Sequence, residues 1–171
     1  MLPGQLDLFA GGTPAIDESF ARLRRTNLDA EAWFDLAPGW LSGHERLFND
    51  LVEGTHWRAE RREMYENVVD VPRLHAVLPA DGPGHPLIEP MRRALSQHYG
   101  EEFTRVSLAY YRDGNDSVAW HGDYVARHMR HALVATVSLG APRRFLLRPR
   151  GGGSSVRLSL GEGDLLVMGG T

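Results

Sequence analysis

The chain has 171 residues, of which 42% are hydrophobic and 24% charged, a balance typical of one globular domain with a sizeable core. Its 19 basic and 22 acidic side chains give a formal charge of -3, which excludes a globally basic nucleic-acid coat but allows a local basic groove. The absence of cysteine excludes disulfides, thiolate metal sites and cysteine nucleophiles. The sequence shows no apolar run of transmembrane length and no secretory signal, which predicts a cytoplasmic protein without a membrane partner.

Proline and glycine bracket residues 1–14, which predicts a flexible arm ahead of a single domain at 15–171. The arm contains QLDLF, which resembles the short peptide by which bacterial repair and replication proteins dock on the sliding clamp. An extended segment with apolar anchors can enter a hydrophobic groove. The alternative is that this stretch packs on the domain itself. The candidate docking residues are Gln5, Leu6, Leu8 and Phe9.

Two segments in the first half have helical periodicity. SGHERLFNDLV begins with Ser42 and has Glu45 three residues later, a capping-box pattern that predicts a helix start. HPLIEPMRRALSQHYG places apolar residues on one helical face and ends at Gly100, a typical C-terminal signal. Pro90 is compatible with this helix if it lies in the first turn.

The second half changes to strand-like alternation. The runs are RVSLAYY, SVAWHGD, HALVATVSLG, RRFLLRP, SVRLSL and DLLVMGG, and they are separated by turns rich in glycine and proline. Short strands in this arrangement predict a sandwich or barrel, and two helices in front of them predict helices that back the sheet. The fold expected is therefore α+β and mainly β: a jelly roll, or double-stranded β-helix, with N-terminal helices.

One pair of residues has the spacing of metal ligands. On a strand, residues i and i+2 point to the same face, so the run SVAWHGD predicts that His121 and Asp123 present an imidazole and a carboxylate side by side. Such a pair suits a 2-His-1-carboxylate iron site, which leaves coordination positions open. Taken alone, the pair is better explained as a surface histidine beside a turn aspartate.

The surrounding segments extend this pattern. RREMYENVVDVPRL, YYRDGNDSVAWHGD, ATVSLGAPRRFLLR and LGEGDLLVMGG, in this order, resemble the AlkB-like Fe(II)/2-oxoglutarate dioxygenases over residues 30–171. The resemblance implies that His121 and Asp123 bind Fe(II) and that Tyr111 hydrogen-bonds the cosubstrate 2-oxoglutarate. It implies oxidative dealkylation of N-alkylated bases in DNA or RNA, which is a repair of alkylation damage. The target base would have to leave the stack or come from a single strand.

The sequence also departs from the family. Ala109 stands where the family often has an asparagine, and Tyr124 to Arg127 replace acidic residues that help to orient the base. The family's second metal-binding histidine and its cosubstrate-binding arginine follow a segment like LLVMGG, but this sequence ends at Thr171. The resemblance therefore predicts a C-terminally truncated form, which as given would bind iron poorly and lack the main anchor of the cosubstrate.

Basic residues carry a further prediction. Arg61, Arg62 and Tyr65 lie in the segment that resembles the family's nucleobase-facing lid, where arginines can hold phosphates and an aromatic ring can stack on a base. A solvated charged turn is the alternative. The arginines at positions 143, 144, 148 and 150 could follow a nucleic-acid backbone, although alternation along a half-exposed strand explains two of them equally well.

Three functions remain open from sequence. The first is a monomeric nucleic-acid dealkylating dioxygenase. The second is a dioxygenase of the same fold that acts on a protein or small molecule, an alternative that Val125 and Ala126 leave open. The third is a non-catalytic jelly roll that binds nucleic acid.

Overall fold

The computed structural model describes residues 12–64, 67–79, 84–122 and 132–170, with the backbone alone described at 60–64 and 67–71. The arm residues of QLDLF, together with Tyr65 and Asp123, lie outside the described residues. The elements, in chain order, are β1 (Ala15–Ile16), β2 (Arg24–Asn27), β3 (Trp33–Ala37), β4 (Leu41–Ser42), α1 (His44–Gly54), β5 (Arg58–Met64), β6 (Asn67–Leu78), α2 (Ile88–Tyr99), β7 (Val106–Tyr110), β8 (Ala132–Ser138), β9 (Arg143–Leu147), β10 (Val156–Leu160) and β11 (Asp164–Gly170).

The chain divides into two compact units, and the first comprises residues 1–49 and 122–171. Its main sheet is antiparallel and has the order β2-β3-β11-β8. Strand β11 pairs on both edges, and its residues Leu165, Leu166 and Val167 are fully buried. Phe34 and Leu166 of this sheet form a buried core with Leu160 of β10, and further apolar side chains of the β9–β10 hairpin pack against it. The first unit is therefore built around two packed antiparallel layers.

The second unit, residues 50–121, contains the antiparallel sheet β5-β6-β7 and helix α2. Pro72 lies within the central strand β6, where a residue without an amide hydrogen is normally excluded. The β5–β6 register shifts between Ala59 and Arg61, so Pro72 falls in an irregular part of that ladder. Helix α2 ends at Gly100, whose φ of 69° is left-handed and whose N–H donates to the Ser96 carbonyl at 2.9 Å. None of the helices in the described ranges is long and apolar enough to cross a membrane.

The mainly β composition with two helices is confirmed, as are α2, its Gly100 terminus and the strands that correspond to RVSLAYY and to the four runs after residue 131. The capping box at Ser42 is wrong. The Ser42 hydroxyl lies in β4 and donates to the Ala15 carbonyl at 3.2 Å, while Gly43, with a φ of 61°, provides the carbonyl that accepts the first bonds of α1.

One expectation about strands is also wrong. Both helices precede β7 to β11, as expected, although six strands that the sequence does not predict, β1 to β6, precede α2. The run SVAWHGD forms no strand over its described residues 117–122, where the backbone amide of Ser117 donates to the Pro72 carbonyl at 2.8 Å instead of joining a ladder. His121 therefore lies outside any strand, so its predicted position on a shared strand face with Asp123 is wrong, although the two residues remain two positions apart in the sequence.

Candidate metal and cosubstrate site

The loop that follows β7 is fixed by a pair of charged side chains. The buried Asp116 carboxylate accepts from the Arg112 backbone amide at 2.8 Å and from Nε and Nη2 of the same residue at 2.8 and 2.9 Å. The hydrogen bond and the charge of Asp116 raise the pKa of Arg112. Asp113 accepts from the Asn115 amide at 2.7 Å, which closes the turn. These contacts hold the loop that connects Tyr111 to His121.

His121 lies at the end of this loop and is exposed. Its Nδ1 is 2.8 Å from the Ala119 carbonyl oxygen. A carbonyl can only accept, so this contact places a hydrogen on Nδ1, and in the neutral imidazole the lone pair is then on Nε2. Metal-binding histidines typically have this arrangement, in which one nitrogen donates to a carbonyl and the other binds the ion. His121 therefore has the tautomer and the exposure that a metal ligand requires.

The second predicted ligand, Asp123, lies outside the described residues. Within 12–64, 67–79, 84–122 and 132–170, no three His, Asp or Glu side chains come together in a cluster that could hold a metal ion. The described geometry therefore supplies one candidate ligand, and the pairing with Asp123 stays a prediction from the sequence.

Tyr111, the predicted cosubstrate residue, follows β7 and is half-buried. Its hydroxyl accepts a hydrogen bond from Arg73 Nη1 at 3.1 Å, and the guanidinium carbon lies 6.0 Å from the ring centroid. Arg73 Nε is buried and has no hydrogen-bond partner among the residues that the structure describes. Because Arg73 donates to the Tyr111 oxygen, the hydroxyl hydrogen can be directed to a different acceptor. A carboxylate suits both the hydroxyl and the guanidinium.

The predicted lid residues are placed by backbone alone. Arg61 and Arg62 lie in β5, opposite Asp70 and Val69 of β6. The backbone of RREMYENVVDVPRL is thus largely a β-hairpin in its described part.

A family model of the 2OG-Fe(II) oxygenase superfamily matches residues 70–171. The chain belongs to this superfamily. Human alpha-ketoglutarate-dependent dioxygenase alkB homolog 3 is 28% identical over 123 residues, which are 67% of this chain and 40% of the relative. Mouse DNA oxidative demethylase ALKBH2 is 33% identical over 94 residues, 50% of this chain and 39% of the relative. The AlkB-like resemblance is confirmed, and the chain spans about two fifths of the length of these relatives.

Membership identifies a dioxygenase domain of a family that uses Fe(II) and 2-oxoglutarate. The chemistry of the candidate residues fits both groups. His121 has the tautomer of an iron ligand, and Asp123 would add a carboxylate two positions later in the sequence. An imidazole with a carboxylate is a donor set typical of non-haem iron. Tyr111 and Arg73 together provide a hydroxyl and a guanidinium, which suit a carboxylate of the cosubstrate.

Sequence reasoning missed Arg73 and the Arg112–Asp116 pair. Opposite charges four residues apart around the turn RDGND could have indicated the pair. Arg73 could have been found only from the strand register: Leu74 is opposite Tyr110, so Arg73 is opposite Tyr111 one step further along. No property of Arg73 in the sequence alone indicates that step.

Replacing Tyr111 by phenylalanine is expected to raise the Kd of the iron-loaded protein for 2-oxoglutarate about tenfold or more, because one hydrogen bond to a charged group is removed. Binding is measured by anaerobic titration, without turnover. Tyr110→Phe is the matched control, since Tyr110 is the preceding residue and packs on the ring of Trp57 at 5.2 Å between centroids. Equal Kd values for Tyr111→Phe and the native protein would remove Tyr111 from the cosubstrate site.

Proposed function

We propose that the protein removes N-alkyl groups from damaged bases in DNA or RNA by oxidation, with Fe(II), O2 and 2-oxoglutarate. The observation that carries the proposal is the hydrogen bond from His121 Nδ1 to the Ala119 carbonyl, inside the segment that matches the oxygenase family. This hydrogen bond favours the tautomer in which Nε2 can bind a metal, and the second proposed ligand, Asp123, follows His121 by two residues. Nucleic acid as the substrate is supported by a relative described as a DNA oxidative demethylase.

The residues of this chain divide the work. His121 and Asp123 would hold the metal. Tyr111 would orient the cosubstrate through its hydroxyl, whose oxygen accepts a hydrogen bond from Arg73. When bound, Fe(II) would supply O2 activation, so that one oxygen atom would enter 2-oxoglutarate, which would leave as succinate and CO2, and the other would enter the N-alkyl carbon. The bond between the base nitrogen and that carbon would then break, the hydroxyl hydrogen would leave as a proton, and the alkyl group would depart as an aldehyde.

The β5–β6 hairpin is proposed to hold the nucleic acid near the target base. Arg61 and Arg62 would bind phosphates, and Tyr65 would stack on a base. The alkylated atom lies on the pairing edge, so the target base must leave the stack or come from single-stranded nucleic acid. A strand pair positions such contacts more rigidly than an isolated loop does.

We also propose the finer fold: a double-stranded β-helix with helices that back the sheet, in one functional domain at 15–171 after a flexible arm. The two packed antiparallel layers of the first unit support this proposal. The protein is further proposed to act as a cytoplasmic monomer.

Docking of the arm on a bacterial sliding clamp is a separate proposal that rests on QLDLF. Tethering would raise the local concentration of a repair enzyme at replicating DNA. Clamp pull-down with the Leu8→Ala, Phe9→Ala double variant is expected to recover less protein than with the native sequence. Equal recovery would contradict docking through this peptide.

The dealkylation proposal is tested by incubating the protein with Fe(II), ascorbate, 2-oxoglutarate and an N-methylated oligonucleotide. Formaldehyde and the unmodified base are expected in equal amounts, and the same oligonucleotide without the methyl group is the control. Consumption of 2-oxoglutarate without base reversion would instead indicate a protein or small-molecule substrate. Oligonucleotide binding without any turnover would indicate a non-catalytic binding module.

A further inference from the structure

The outer face of the β9–β10 hairpin has an unusual composition. Phe145, Leu147 and Leu158 pack inward against the core of the first unit. Strand alternation therefore directs the intervening residues outward, where they are exposed. Ser159 lies opposite Arg144, and Arg157 lies opposite Leu146. We call these outward residues the hairpin face: Arg144, Leu146, Arg157 and Ser159.

Positive charge dominates the sequence around this face. Residues 124–161 contain seven arginines and no acidic residue. The other 133 residues contain 12 arginines and 22 acidic residues, so the chain combines a net negative charge with one wholly basic segment. Among the described residues, neither Arg144 nor Arg157 has a carboxylate within ion-pair distance. A basic cluster without internal counter-charge attracts an anionic partner.

The geometry favours an extended anion. Arg144 and Arg157 are diagonal neighbours on adjacent strands, at a spacing of roughly 7–8 Å that is typical of such pairs. Leu146 stays 40% exposed between them, which offers an apolar contact as well as charge. Arg150 and the three following glycines form the hairpin tip, and an added Cβ at any of the three glycines would meet nothing within 4 Å. The tip therefore leaves room for another molecule to approach the backbone closely.

We propose that the hairpin face binds the sugar-phosphate backbone of a nucleic acid. Guanidinium groups bind phosphate oxygens in a bidentate manner, and the basic residues of this chain are all arginines. The apolar side chain of Leu146 would contact the sugars. This inference rests on the proposed nucleic-acid substrate, and it adds a second binding surface to the β5–β6 hairpin.

The test compares two double variants of equal charge change. Arg144→Glu with Arg157→Glu reverses the hairpin face, and Arg93→Glu with Arg105→Glu reverses two exposed arginines of the other unit. Binding of an unmodified single-stranded oligonucleotide is measured by fluorescence anisotropy over a range of salt concentrations. The hairpin variant is expected to weaken binding about tenfold or more and to lower the log-log salt slope by about one for each phosphate that is no longer bound. The control variant is expected to retain the native Kd within about twofold.

Milder changes separate charge repulsion from the simple removal of phosphate-binding groups. Arg144→Gln with Arg157→Gln is expected to lower the salt slope in the same way, and an unchanged thermal midpoint would show that the fold is intact. A native Kd and slope in both hairpin variants would overturn the proposal. The proposal would also be overturned if the hairpin variants lost binding to anionic lipid vesicles but bound the oligonucleotide like the native protein. The hairpin face would then bind a membrane surface.

The outcome does not depend on the dealkylation proposal. Turnover of an N-methylated nucleoside, which has no phosphate, is expected to be the same in the native protein and in the hairpin variants. If no alkylated substrate is turned over, the proposed function fails, while the comparison of Kd and salt slope still decides the hairpin face. If turnover occurs and the variants bind like the native protein, only the hairpin face is wrong.

Discussion

Replacing His121 by alanine is expected to weaken Fe(II) binding by about 100-fold or more and to abolish 2-oxoglutarate turnover. Loss of a partner that merely orients a metal ligand costs about 10- to 100-fold in affinity, and this variant removes a ligand itself. The substitution removes the whole imidazole, so the hydrogen bond from Nδ1 to the Ala119 carbonyl is lost together with the metal ligand. Asp123→Ala is expected to have a similar effect.

The measurement is equilibrium dialysis against Fe(II) under anaerobic conditions, which reports metal binding without turnover. His56→Ala is the control, since His56 is an exposed histidine in the turn after α1, away from the predicted ligand pair in sequence. The control is expected to bind as much iron as the native protein. If His121→Ala also retains native iron binding, the assignment of the metal ligand is wrong, even if activity is abolished for another reason.

The residue types of the site and their spacing along the chain could be predicted from the sequence. His121 and Asp123 are two residues apart whatever the backbone does, so the failure of the predicted strand at 117–122 leaves the pair a candidate. Arg73 could not be predicted, because its contact with Tyr111 depends on the β6–β7 register. A register one residue different would place the other face of β6 against Tyr111.

The fold was predictable where local patterns and long-range pairing agree. Helix α2 combines an apolar face with a glycine terminus, and β11 is an apolar run bounded by glycines; both are found. Strand β5 has the sequence RAERREM, which has no apolar alternation, and β6 contains Pro72. Strand β5 forms because it pairs with β6, and β6 also pairs with β7, which lies beyond α2 in the sequence. This pairing overrides the weak local signal of both strands.

The same limit applies to the ion pair between Arg25 and Asp35, which lie opposite each other on β2 and β3. Asp35 is 1% exposed in a sheet interior, a position where a carboxylate is rare unless it is paired. Arg25 donates to it in a bidentate manner, with Nε and Nη2 each 2.8 Å from a carboxylate oxygen. The guanidinium carbon also lies 3.6 Å from the ring centroid of Trp33. Half of the arginine side chain remains in solvent, whereas the aspartate has almost no access to water.

This asymmetry predicts which partner is costly to remove. Arg25→Ala leaves a buried carboxylate without its bidentate partner and is expected to lower the free energy of unfolding by about 3–5 kcal/mol. Asp35→Ala leaves an arginine that water can solvate, so about 1–2 kcal/mol is expected. The double variant should be more stable than Arg25→Ala alone, because the unsatisfied charge is gone. Urea unfolding provides the measurement, and Arg24→Ala on the same exposed strand is the control, with an expected decrease below about 1 kcal/mol.

The order of the three variants in free energy of unfolding shows which partner is costly to remove. If Asp35→Ala is the more damaging single change, the carboxylate stabilises the sheet through contacts other than Arg25. If Arg25→Ala costs no more than Arg24→Ala, the pair behaves as a surface ion pair despite the burial of Asp35. The expected order would mean that Asp35 can remain buried in the sheet that contains β11 only because Arg25 pairs with it. The two-layer core of the first unit would then depend on this ion pair.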